Sequence, residues 1–272
     1  MTDSRPAAVL EQRPESQRPD DSAQNGQQYL YAIVAAGLPD AIGVPGIGGQ
    51  PLRLVVEGPV AAVTSDLGAS RVRPERRNLG AHHGVLKALM NMSFVPLPMS
   101  FGVVGDNPSA VRGLLARNRD AILEQLRRVA GKAEMGLRVK WDVANIFEYF
   151  VDTHAELRSL RDRILGGGRM PAHDEKIEIG SFFDRMRTQD RTRFTDAVTS
   201  FLSPVCAELQ VNKCKDEYEV MNLACLVPTE RQDDFSRAVF AAARLFDDSY
   251  SFDFSGPWAP HNFVSLDLDL GD

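Results

Sequence analysis

Phe94-Val95-Pro96-Leu97-Pro98-Met99-Ser100-Phe101-Gly102-Val103-Val104 is the stretch on which the fold turns. It is apolar, uncharged and punctuated by two prolines and a glycine, and a helical pattern stands on either side of it. Pro96 and Pro98 have no N–H to give to a ladder, which argues against a regular interior strand. The expectation is an extended, largely buried segment at a strand end or sheet edge, locking the two helices around it. Such a segment sets an architecture without declaring a chemistry.

Working outward, the β-rich run Gln28-Tyr29-Leu30-Tyr31-Ala32-Ile33-Val34 ends at Gly37 and Pro39. A Gly/Pro-rich loop covers residues 37–51, and two short strands, residues 52–57 and 60–65, flank Glu57-Gly58-Pro59 as a hairpin. A helix is predicted over residues 74–92, with Leu79, His82 or His83, Leu86, Leu89 and Met90 at helical spacing. After the opening stretch, Asn107-Pro108 supplies an N-cap and a first-turn proline for a single helix that closes at Gly131. Residues 28–131 therefore form a first α+β domain. Residues 1–27 are rich in Pro, Arg, Gln, Asp and Ser, bury too little to offset ordering entropy, and are expected to be a disordered tail.

The second domain, residues 132–272, opens with Met135, Leu137, Val139 and Trp141 alternating against Gly136, Arg138, Lys140 and Asp142, a strand with one buried face. One long helix follows over residues 143–165, and Gly166-Gly167-Gly168 serves as a flexible joint. A further helix spans residues 180–202, with strands at 205–211 and 218–227. Thr229-Glu230-Arg231-Gln232 is a capping box for another helix, and residues 250–254 are the last clear strand. The order is β-α-α-β-β-α-β. Removing one helix leaves the βαββαβ of a ferredoxin-like fold, so the chain is α+β with two domains, the second a modified ferredoxin-like fold with an extra helix.

Composition excludes several function classes. Of 272 residues, 43% are apolar and 25% charged, the balance of a globular protein. No run approaches the length needed to span a bilayer, so no membrane role is assigned. A net charge of -6 argues against a nucleic-acid binder, which must neutralise phosphates; the cluster Arg71, Arg73, Arg76 and Arg77 is a solvated loop. Three cysteines at 206, 214 and 225 match no zinc spacing, and with no export signal they suit free thiols in the cytosol.

Motifs that carry chemistry are scarce. Gly46-Ile47-Gly48-Gly49 precedes Pro51 and a strand rather than opening a helix, so it is a loop and not a phosphate cradle. His82 and His83 point about 100° apart on a helix and cannot clamp one metal; His82 is a capping or core histidine. Glu134, Asp142, Glu148 and Asp152 are solvated acids near a strand–helix junction. No catalytic set, metal or cofactor emerges. Arg138 and Lys140 lie on the polar face of their strand, which a ferredoxin-like layer leaves open for a partner or for the other domain; the plain alternative is a hydrated face.

Several segments together resemble the gas vesicle proteins of the F and L type. They are Tyr29-Leu30-Tyr31-Ala32-Ile33-Val34; His82 before Val85-Leu86; Leu97-Pro98-Met99-Ser100-Phe101-Gly102; residues 132–141; and Gly256-Pro257-Trp258-Ala259-Pro260-His261-Asn262-Phe263-Val264. The resemblance runs over about residues 28–266. It implies two α+β domains and a non-enzymatic accessory protein of the gas vesicle, cytoplasmic and vesicle-associated. Such a protein is a minor component or assembly factor contacting the small hydrophobic shell protein and other accessory proteins. The candidate interaction or motif residues that follow are Pro98, Met99, Phe101, Gly102, Gly256, Pro257, Trp258, Asn262 and Phe263. Where Ser100 stands the family pattern carries an arginine, so the motif loses a bidentate donor and keeps its packing role. Trp258 is either a binding anchor or a staple of the last strand to its own domain. The contrasting hypothesis is an enzyme or small-ligand sensor using the crevice between the domains, which calls for a deep polar pocket holding His82 beside a carboxylate.

Overall fold

The run beginning at Gln28 forms β1 (Gln28–Ala35), and all of it but Ala35 is buried. A strand apolar on both parities needs cover on both faces, and the rest of the first half supplies it. The computed structural model describes residues 26–39, 42–67, 72–166 and 170–269. Most of the expected N-terminal tail (residues 1–25), Arg71 and the Gly167-Gly168 joint lie outside them.

β1 pairs antiparallel with β3 (Val60–Asp66), which pairs in turn with β2 (Leu52–Glu57) as the expected hairpin. A register shift between Leu30 and Ala32 puts Tyr29, Tyr31, Ala32 and Val34 on one face. There they meet Val85, Leu86 and Leu89 of α1 (Arg76–Asn91). Leu30 and Ile33 face the other way. The opening stretch lies along the far edge of β1. β4 (Leu97–Pro98) pairs with Ala32 and Ile33, a turn at Phe101-Gly102 follows, and β5 (Val104–Gly105) pairs with Gln28 and Tyr29. Two prolines thus end up at a sheet edge, as their missing donors require.

The single helix expected after Asn107 divides into α2 (Pro108–Arg117) and α3 (Arg119–Val129). Asn107 Oδ1 accepts from the Ala110 N–H as an N-cap. The break falls at Asn118. Its side chain donates to the Leu114 and Asp269 carbonyls and accepts from the Asp269 N–H, so a contact from the far end of the chain bends the helix pair. Val111, Leu115, Ile122 and Val129 cover the second face of the sheet.

The second sheet has the order β7-β8-β6-β9, with β6 (Lys132–Trp141), β7 (Glu208–Asn212), β8 (Glu219–Pro228) and β9 (Tyr250–Trp258), every pair antiparallel. Helices cover one face, on which Leu137, Val139, Trp141, Leu223 and Cys225 are buried. The predicted 143–165 helix is two, α4 (Ile146–Thr153) and α5 (Ala155–Leu165). Between them His154 takes extended dihedrals, stacks on Phe150 at 4.9 Å and reaches Asp190 at 3.4 Å. α6 (His173–Leu202) begins seven residues earlier than expected, because the Glu175 carboxylate accepts from the Ala172 N–H and caps the first turn. The capping box at Thr229 does not form. The Thr229 hydroxyl instead donates to the Gly131 carbonyl, residues 229–231 make a 3-10 turn, and α7 (Gln232–Ala243) starts at Gln232.

Past β9 the chain returns to the first half. Ala259 joins the core under α1, while Val264, Leu266 and Leu268 pack against the core under α2 and α3. Midway, Phe263 covers Ala224 and Leu226 on the helix-free face of the second sheet.

Candidate functional site

The motif residues of the first half surround a ring cluster. The Tyr29 hydroxyl is 2.9 Å from His82 Nδ1 and accepts from the Gly102 N–H at 3.1 Å. Phe101 packs edge-on to both rings, and Tyr31 lies 5.6 Å from the imidazole. Gly102 holds φ at +93°, a left-handed turn suited to glycine. Pro98 is half-buried; Met99 is buried, and its N–H continues the ladder to the Tyr31 carbonyl. Burial lowers the His82 pKa to about 4, with His261 and His83 adding to the effect against a pull from the Met99 backbone. Burial likewise pushes the Tyr29 hydroxyl up to about 12. This is the core histidine expected from the sequence, neutral and locked by a tyrosine.

Arg138 and Lys140 do project from the helix-free face of the second sheet, and both are engaged. Arg138 Nε stands 2.9 Å from the buried Glu219 carboxylate, and Lys140 Nζ 3.4 Å from Asp216. The face is charged and half-exposed rather than a bare hydrated surface.

The last motif builds the joint between the sheets. Gly256 sits at φ +125° where a Cβ would meet the Glu134 carbonyl oxygen at 2.8 Å, so only glycine lets the backbones approach this closely. The Gly256–Pro257 bond is cis, and Pro257 is exposed. Trp258 is half-buried with its ring 5.0 Å from His83 of α1, and its Nε1 donates to Ser255 Oγ. It thus touches both the first half, through His83, and its own strand, through Ser255. The Asn262 N–H and side-chain amide donate to the two oxygens of buried Glu134 at 2.8 and 2.6 Å. Burial raises the Glu134 pKa, against the pull of those two bonds. Phe263 is buried.

A cleft of about 620 Å³ opens between the sheets, walled by Met90, Val95, Pro257 and Trp258 and lined by Lys87 and Lys132. Neither His82 nor any carboxylate lines it. The polar His82–carboxylate pocket that the enzyme or sensor hypothesis requires does not form here. Among the described residues no group of His, Cys, Asp or Glu could hold a metal ion, and no helix is long and apolar enough to cross a membrane. Cys225 is buried in β8, whereas Cys206 lies between α6 and β7 rather than in a strand. The expectation that Glu134 is a solvated acid is overturned, since its carboxylate is buried against Asn262, and neither it nor His83 nor Lys87 is marked for this site by any local pattern. Their signal was weak because each gains its role from a segment more than a hundred residues away.

The family model described as gas vesicle synthesis protein GvpL/GvpF matches residues 27–265. Gas vesicle protein F of Dolichospermum flosaquae is 27% identical over 88% of this chain and 98% of its own length. Gas vesicle protein L of a Streptomyces species is 28% identical over 88% of this chain and 93% of its own length. The crystal structure of GvpF from an Anabaena species superposes with a TM-score of 0.78 at 24% identity, covering 89% of this chain and 99% of that one, a likeness of fold. GvpF from Microcystis aeruginosa superposes with a TM-score of 0.74. The chain belongs to the GvpL/GvpF family of gas vesicle synthesis proteins.

Proposed function

We propose that this protein is a non-enzymatic assembly factor or minor component of gas vesicles, working in the cytoplasm and at the vesicle. In this role it binds the small hydrophobic shell protein and other vesicle accessory proteins. The observation that carries the proposal is the family match over residues 27–265. Two further observations support it. Tyr29 and His82 of the first half are locked into packing, and the second sheet leaves one face and its edge strands β7 and β9 available to a partner. Arg138 and Lys140 on that face, and Gly256, Pro257, Trp258, Asn262 and Phe263 at the joint, are the proposed contact or contact-shaping residues. Pro98, Met99, Phe101 and Gly102 shape the first half.

The proposal includes a division at residues 131/132. The second unit is a modified ferredoxin-like fold, supported by a sheet in which the first and third of its four strands are central and antiparallel. Residues 259–269 act as a strap back to the first unit. The test is a pull-down with the major shell protein and the other vesicle proteins, together with deletion of the gene. The expected result is retention of at least one vesicle protein and loss or malformation of vesicles. Retention of none, with normal vesicles in the deletion strain, overturns the proposal.

A further inference from the structure

We infer that the cleft between the two sheets is a receptor for a carboxylate-bearing apolar peptide segment of a partner protein. Its volume, about 620 Å³, falls in the range of sites that enclose a ligand. Met90, Val95, Pro257 and Trp258 give it apolar walls. Its ionisable lining is Lys87 and Lys132, with no acidic residue, in a chain whose net charge is -6.

The two lysines differ in a useful way. Lys132 Nζ donates to the Arg128 carbonyl at 2.8 Å, which holds its charge in place. Lys87 is exposed on α1 and makes no ion pair within the described structure, so its charge is available. The nearest carboxylate along β6, Glu134, is buried and occupied by Asn262. An anionic group entering the cleft therefore finds two lysines and no acid in the lining; Glu208, which feels the Lys132 charge, lies outside it and is paired with Arg128.

The remaining polar lining selects peptide over acyl chain. Asn91 and Gln232 present carboxamides, each with donors and an acceptor, matched to the N–H and C=O of a peptide backbone. A hydrocarbon tail would leave them unpaired as it desolvated them. The inference gives the partner segment of the proposed assembly role its chemistry, and rests on that role only for whose segment it is.

The test uses the full chain and two synthetic probes, an N-acetylated, C-amidated Leu-Asp-Leu-Val tetrapeptide and its Leu-Asn-Leu-Val counterpart. Trp141 is buried, so Trp258 reports on the cleft through a change in emission. The aspartate probe is expected to bind about tenfold more tightly than the asparagine probe, the preference shrinking as salt is raised. Lys87→Glu is expected to abolish the preference while leaving the thermal melting curve in place. Trp258→Phe is expected to remove the emission change while binding persists by anisotropy of a labelled probe. Equal binding of the two probes, no saturable binding at all, or a preference that survives Lys87→Glu overturns the inference. Displacement of the aspartate probe by a lower concentration of decanoate also overturns it, and assigns the cleft to acyl chains. Failure in any of these ways with vesicle proteins still retained in the pull-down would discard the cleft and leave the assembly role standing.

Discussion

The two sheets of this protein are built on the same antiparallel plan and finished differently. The first is covered on both faces, by α1 on one side and α2 and α3 on the other, and β1 runs through its middle almost wholly buried. The second has a helix layer on one face, and on the other Arg138, Lys140 and a short patch closed by Phe263. A sheet closed on both faces keeps its polar groups for internal bonds, as Tyr29 and His82 do. A sheet closed on one face leaves charge and edges uncovered. The motif residues divide along the same line: those of residues 98–102 hold a core together, and those of residues 256–263 shape a joint and a cleft.

The comparison breaks most sharply by cutting into the closed sheet. Leu97→Ala removes a side chain with 0% exposure from the edge of that core and is expected to cost about 2–5 kcal/mol in chemical denaturation. Phe254→Ala, at the half-open edge of the second sheet, is expected to cost well under that.

Acid separates the halves next. His82 titrates near 4 when folded and near 6.5 when unfolded, so below 6.5 the unfolded chain takes up a proton that the folded one refuses. Its contribution is present above pH 6.5 and is lost as pH falls toward 4, at most on the order of 3 kcal/mol. Glu134 has a raised folded pKa, so its contribution has the opposite sign: the folded state binds its proton more readily, and stability falls as pH rises from the ordinary carboxylate value toward the raised one. His82→Gln should flatten the acid slope of the melting temperature between pH 6.5 and 4. An unchanged slope would show that the loss arises elsewhere.

Asn262→Ala leaves the buried Glu134 carboxylate without its side-chain donor, at an expected cost of about 1–3 kcal/mol. Because the unpaired group is the ionised form, the loss should be smaller at low pH, as a denaturation series across pH would show. The smallest effect is expected at Ser100, which is exposed in the turn between β4 and β5. Ser100→Arg should change stability by no more than about 0.5 kcal/mol. A severe drop in melting temperature would mean that the site is enclosed and belongs with the closed half.

The alternation of Met135, Leu137, Val139 and Trp141 against Gly136, Arg138 and Lys140 was enough to place β6 with one face buried. The unbroken apolar run at residues 29–34 pointed to a strand, and Pro96 and Pro98 consigned their segment to an edge. These features were legible because a periodic pattern or a missing donor acts within a few residues of where it is written. The motifs at residues 97–102 and 256–264 likewise carried the family in the primary structure, and the match over residues 27–265 bears this out.

Tertiary structure decided the rest. The helices broke at Asn118 and His154 because Asp269 and Asp190 arrive there from elsewhere in the chain. The capping box at Thr229 lost its hydroxyl to Gly131, and Trp258 reached His83 of α1 while keeping Ser255 of its own strand. Each outcome is a competition between a local bond and a distant partner that no period in the sequence records. The cleft exists only because residues 87–95, 131–133 and 256–258 meet, and residues 259–269 strap the two halves together.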